Sequence, residues 1–215
     1  MKNKHKFTRR EAVKTIAASG FASLGMANGI FNHQLFAQGL NLPPSVQNIE
    51  SWNPIRRLNP VKPDDLIIRA AVGTTDVGNG VQDTAWLLNE SLPSPLIRVR
   101  KGEIFKVQLQ NELPDQLILH WHGLTPPELM DGHPRLAISK GLAYDYEFTV
   151  ENRASTYWYH SHSHYKVGKH AYFGIAGMLI VDDDETDDLK LPSGKYEIPL
   201  VLQDRRVDYS GTIIP

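Results

Sequence analysis

Residues 117–122 read Leu117-Ile118-Leu119-His120-Trp121-His122, and residues 157–162 read Tyr157-Trp158-Tyr159-His160-Ser161-His162. Both stretches are short, apolar and rich in aromatics, a composition that suits strands. Along a strand, successive side chains point to opposite faces, so residues two apart share one. His120 and His122 therefore face one way, as do His160 and His162. Trp121 and Ser161 face the other way, which puts Trp121 in the core. Two such strands side by side present four imidazoles to one point. Imidazole suits copper, zinc, iron and nickel. A single H-x-H pair arises easily by chance in a strand, whereas two pairs flanked by aromatics carry far more weight.

The same kind of segment recurs on either side. Short apolar or alternating runs occupy 66–72, 84–88, 96–99, 104–109, 144–150, 156–162 and 177–181, with turn residues between them. The chain holds 14 prolines and 16 glycines in 215 residues, as expected for many turns. This spacing predicts an all-β sandwich or barrel. Residues 166–173 and the N-terminal region are the only segments with a helical reading. Residues 38–60, rich in Pro and Asn, read as an extended lead-in. The acidic run Asp182-Asp183-Asp184-Glu185-Thr186-Asp187-Asp188 marks a boundary. It reads as a solvated linker, with a calcium site as the competing reading. Beyond it, 196–203 (YEIPLVLQ) reads as a new strand. One isolated strand cannot bury its faces, so the chain reads as truncated where a second domain would be starting.

Composition removes several functions. There is no cysteine, which excludes a disulfide framework, a zinc–thiolate site and a cysteine nucleophile. It also excludes a complete blue-copper site, which needs a thiolate. The formal net charge of −1 hides an asymmetry: residues 1–37 carry +5, which leaves −6 on the rest. A mildly acidic body does not suit nucleic acid as a partner.

Residues 1–37 place basic residues before a weakly apolar run diluted by Gly, Ser and Asn, too short and polar for a stable membrane span. Thr8-Arg9-Arg10-Glu11-Ala12-Val13-Lys14 resembles the twin-arginine export signal of bacteria. The resemblance implies transit through the twin-arginine machinery to the periplasm, with Ala37 as a weak cleavage candidate. A basic amphipathic helix or a disordered tail is the competing reading.

Leu119-His120-Trp121-His122-Gly123-Leu124, followed by Asp131-Gly132, resembles the first copper signature of the multicopper oxidases. Tyr157-Trp158-Tyr159-His160-Ser161-His162, with Gly174-Ile175-Ala176-Gly177-Met178-Leu179-Ile180-Val181, resembles the second. Residues 92–99 and 198–206 match in support, so the resemblance runs from about residue 65 onward. It implies a cupredoxin-like Greek-key β-sandwich over residues 38–183. Residues 184–215 would then be a linker and the first strand of a second such domain. It also implies that His120 binds the mononuclear type 2 copper and that His122, His160 and His162 bind the type 3 pair. These are half of the eight histidines of a trinuclear cluster. The remainder, and the type 1 copper with its cysteine, would belong to a C-terminal cupredoxin domain as partner. The implied reaction oxidises a small reducing substrate, such as cuprous ion or a phenol, and reduces dioxygen to water.

Asp131 matches an acidic residue that assists proton delivery near the type 2 copper in relatives, and so is the catalytic candidate. The bland alternative is a turn Asp before Gly132. His164 extends the second pattern and resembles a third histidine of the cuprous oxidase branch, but is left out of the ligand set. His133 and His170 read as surface or loop residues, and Met130 and Met178 as packing. Three functions compete with the oxidase: a copper-binding fragment without turnover, a structural relative such as the cell-division proteins of this fold, and a zinc-binding module.

Overall fold

The computed structural model describes residues 58–76, 82–206, 208 and 212–214. The export-signal expectation at 1–37 lies outside them. Among the described residues nine strands form two sheets. They are β1 (Pro60–Val61), β2 (Leu66–Asp76), β3 (Gln82–Leu88), β4 (Leu96–Arg100), β5 (Ile104–Asn111), β6 (Leu119–His122), β7 (Leu142–Thr149), β8 (Ser155–Ser161) and β9 (Ala176–Asp182). Two short helices, α1 (Val167–Phe173) and α2 (Asp184–Asp188), accompany them. One sheet runs β1-β4-β9-β8-β6 and the other β3-β2-β5-β7. Each predicted run from residue 66 to 181 overlaps one of these strands, and α1 lies within the helical reading at 166–173. Among the described residues no helix is long and apolar enough to cross a membrane.

The two-residue period explains the layers. In β5, Phe105, Val107 and Leu109 are buried while Ile104 and Lys106 face outward. They pair with Phe148, Tyr146 and Tyr144 of β7. From the other sheet, Ile97, Val99, Leu179 and Val181 meet them in one apolar core. Trp121 sits at its centre, fully buried, with its ring 4.6 Å from Phe105, 4.9 Å from Tyr146 and 5.7 Å from Tyr159. Burying that much aromatic surface is the largest apolar contribution any single side chain here can make.

β6 is an edge strand, and a buried edge must satisfy its outward backbone groups elsewhere. The phenol of Tyr146 does this: it accepts from the Leu119 N–H (3.0 Å) and donates to the Leu119 carbonyl (3.1 Å). Burial pushes the Tyr146 hydroxyl pKa up, so it keeps its proton.

Beyond residue 181 the structure refines one expectation and corrects another. The acidic run is mostly solvent-exposed, and Asp184–Asp188 within it is helical. Asp183 caps that helix, accepting from the N–H of Thr186 (2.9 Å) and of Ala154 (2.8 Å). Arg100 holds Asp184 and Asp187. Residues 196–203 do not form a strand. A 3-10 turn covers Gly194–Tyr196 and no ladder follows. A strand needs a neighbour for its N–H and C=O groups, and among the described residues this segment has no such neighbour. Its two-residue pattern survives as exposure: Tyr196, Ile198, Leu200 and Leu202 all face solvent.

Candidate metal centre

β6 and β8 are antiparallel neighbours, in a register that sets His120 opposite His160 and His122 opposite Trp158. Partners opposite each other share a face. His120, His122 and His160 therefore gather on the outer face of the five-stranded sheet, while Trp121 and Ser161 point into the core, as the alternation predicts. His120, His122 and His160 bring ligand nitrogens within 4.8 Å of one another. His162 follows the end of β8 and stands beside this trio, its ring centroid 5.1 Å from His120 and 6.1 Å from His160.

The hydrogen bonds fix which nitrogens are available. Nδ1 of His120 donates to the backbone carbonyl of Asp131 (2.7 Å), and Nδ1 of His160 to the carbonyl of Ser161 (2.8 Å). A carbonyl only accepts, so in each neutral ring the proton sits on Nδ1 and Nε2 is the lone-pair nitrogen, the arrangement metal-binding histidines use. Nε2 of His160 lies 3.2 Å from Nδ1 of His122, which donates to it when His160 carries its proton on Nδ1. Nδ1 of His162 is buried without a hydrogen-bond partner among the described residues. Burial lowers the pKa of His160 and of His162, and the neighbouring imidazoles add to the effect. Neutral rings with free lone pairs are what a metal ion requires.

The side chain of Asp131 approaches the same ring: Oδ1 lies 3.1 Å from Nδ1 of His120. The Nδ1 proton is directed at the Asp131 carbonyl, so Oδ1 is a close, buried neighbour without a hydrogen bond. The structure thus brings Asp131 to the cluster. Trp158 covers it from one side, stacked on His160 at 4.2 Å and 4.8 Å from His122. Met178 pairs with Trp158 across β8 and β9. His133 is exposed and caps a 3-10 turn through Nδ1. His164 is exposed and stacks on Tyr165.

His170 overturns the surface expectation: it is fully buried, on α1. Its Nδ1 lies 2.6 Å from Ser161 Oγ and its Nε2 3.3 Å from Asp115. Sequence reasoning missed both Asp115 and this contact. The one available signal was the helical spacing that puts His170 four residues after Lys166, on the face that packs against β8.

The chain is similar to known proteins over the stretch that holds these histidines. A family model described as multicopper oxidase matches residues 70–186, which include all four clustered histidines. The multicopper oxidase mco of Staphylococcus aureus is 31% identical over 138 residues, covering 64% of this chain and 31% of that protein. The cell division protein FtsP of Proteus mirabilis is 34% identical over 137 residues, covering 62% of this chain and 29% of that protein. Among solved structures, the McoA multicopper oxidase of Aquifex aeolicus superposes with a TM-score of 0.67 at 34% identity, over 74% of this chain and 38% of that one. The chain spans about a third of the length of the curated relatives it matches.

Proposed function

The chain belongs to the multicopper oxidase family, and from that premise we propose that it supplies half of an oxygen-reducing copper centre. In this reading His120 binds a type 2 copper and His122, His160 and His162 bind a type 3 pair. The remaining histidines, and the cysteine this chain lacks, come from another cupredoxin domain. The whole protein takes electrons from a small reducing substrate, cuprous ion or a phenol, and passes them to dioxygen to make water. The N-terminal basic segment sends it out of the cytoplasm by the twin-arginine route.

The observation that carries this reading is the convergence of three imidazoles, two with Nδ1 already bonded to a carbonyl and Nε2 left bare. Copper, when bound, supplies one-electron redox chemistry that no side chain here provides. The chain's own residues do the rest. The carbonyls of Asp131 and Ser161 hold two rings in the ligating tautomer. Trp158 shields one flank from water. The Asp131 carboxylate, beside His120, is placed to hand on protons that oxygen reduction consumes.

A titration of the purified, metal-free chain with Cu(II), followed by electron paramagnetic resonance, tests this. The chain should take up the ion with nitrogen hyperfine structure. His120→Ala and His160→Ala should each cost more than the roughly 10–100-fold that loss of an outer partner costs. Unchanged affinity in both variants would falsify the assignment. A copper-binding or structural role without turnover is the second reading, favoured by the 34% identity to FtsP. Oxygen uptake by the assembled protein separates the two.

A further inference from the structure

Beneath the histidine face lies a second buried polar cluster that the proposed function does not use. Ser161 sits between His160 and His162 and points into the protein. Its Oγ lies 2.6 Å from Nδ1 of His170, and Nε2 of His170 lies 3.3 Å from Oδ2 of Asp115. Lys166 (2.7 Å) and Lys169 (2.8 Å) pair with the same Asp115 carboxylate. In composition this is a Ser-His-Asp series, but a nucleophile must meet a substrate. Ser161 and His170 are both 0% exposed, so acyl transfer is excluded and the cluster acts on the protein itself.

The protons run in one direction. A carboxylate only accepts, so Nε2 of His170 donates to Asp115 and Nδ1 accepts from the Ser161 hydroxyl. Burial lowers the His170 pKa, which keeps the ring in this neutral form. The backbone closes a loop around the same residue. The His170 carbonyl accepts from the N–H of Ile175 (2.8 Å), and the Ile175 carbonyl accepts from the N–H of Ser161 (3.2 Å). Ser161 is therefore held at its side chain and at its N–H by the segment that His170 anchors. Its carbonyl in turn accepts from Nδ1 of His160. The chain of contacts thus runs from Asp115 through His170 and the Ser161 peptide to the ring of His160, whose bare Nε2 faces the metal-binding trio.

We propose that His170 is a positioning residue: locked between Asp115 and Ser161, it orients the Ser161 peptide and thereby the ring plane and tautomer of His160. The inference rests on the copper reading for its purpose, but not for its geometry. Three variants test it: His170→Leu, which removes both hydrogen bonds; His170→Gln, which keeps an acceptor for Ser161 and a donor for Asp115; and Ser161→Ala, which removes only the hydroxyl.

The first readout is the imidazole nitrogen correlation spectrum of the metal-free full chain. His160 should show its proton on Nδ1 in the wild type and a mixed or broadened state in H170L and S161A. His120, whose Nδ1 bonds Asp131, should stay unchanged in both, and H170Q should restore the His160 signal. The second readout is Cu(II) affinity, which should fall about 10–100-fold in H170L, as it does when other outer partners of metal-binding histidines are lost, and largely return in H170Q. If H170L fails to fold, S161A decides the question alone, because it leaves His170 packed against Trp86 at 5.0 Å. A His160 spectrum identical in wild type, H170L and S161A overturns the proposal. A wild-type chain that binds no Cu(II) overturns the copper reading instead, and the tautomer spectrum still judges the clamp.

Discussion

At Gly132 one missing methyl group decides where His120 points. The residue has φ +73°, and a Cβ built there would lie 1.9 Å from the Leu119 carbonyl oxygen and 2.9 Å from His120 Cα. Both are backbone atoms of β6, so nothing nearby gives way by a rotamer change. The loop lies flat on the strand, and that approach brings the Asp131 carbonyl to Nδ1 of His120. A left-handed backbone alone costs a non-glycine residue roughly 1–2 kcal/mol. Gly141, at φ +81° with nothing within 4 Å of its Cβ position, isolates that cost. Gly141→Ala should therefore lose about 1 kcal/mol, while Gly132→Ala should lose about 3 kcal/mol or more, since the loop must lift as well. Urea denaturation of the two variants checks the difference; equal losses would mean that the loop does not press on β6. The sequence marked Asp131-Gly132 both as a turn and as a catalytic candidate. The structure gives the pair a turn, and also a main-chain bond to His120 that residue type does not reveal, because every residue carries a carbonyl.

At the scale of an element, α1 is seven residues long, too short to hold itself together. It docks through Asp115, which receives Lys166, Lys169 and His170 at once. Burial alone would raise the Asp115 pKa, but the hydrogen bonds from these three groups outweigh it and hold the carboxyl well below its ordinary value. The folded state therefore binds the proton later than the unfolded chain does as pH falls. The stabilisation is fully present above the unfolded value of about 3.9 and is lost as acid titrates the folded group. Asp115→Asn should lower the thermal midpoint at neutral pH. It should also flatten the fall of that midpoint between roughly pH 5 and 2. Melts across that range at constant ionic strength provide the measurement, and parallel wild-type and D115N curves would show that the ion cluster does not dock the helix. The strands were legible in the sequence because their signal is local: Phe105, Val107 and Leu109 announce a face by spacing alone. The fate of His170 was not legible, because its partner Asp115 lies 55 positions away. Residues 196–203 misled for the converse reason: their alternation is real, but a ladder needs a second strand that no local pattern supplies.

For the whole molecule, the question is what the proposed half-centre does alone. Reducing dioxygen to water takes four electrons and four protons, so electrons must arrive repeatedly from a donor. The proposed entry point in this family chemistry is a thiolate-bound copper, and the chain has no cysteine. Its histidine face also lacks any opposing wall among the described residues: Trp158 remains 43% exposed at the edge of the cluster. His122 is exposed as well, although His160 is buried, so one side of the cluster is open to solvent and the dry setting that makes charge stabilisation effective is incomplete. The purified chain loaded with Cu(II) should accordingly be free of the blue absorption of a copper–thiolate bond. With a phenolic donor it should show no oxygen uptake beyond that of the same concentration of free copper. An oxygen electrode and a visible spectrum check both points. Uptake that scales with chain concentration and disappears in His160→Ala would overturn the expectation. It would mean that imidazoles on one open sheet face sustain multi-electron turnover without a thiolate relay, and the division of labour proposed between this domain and its partner would have to be abandoned.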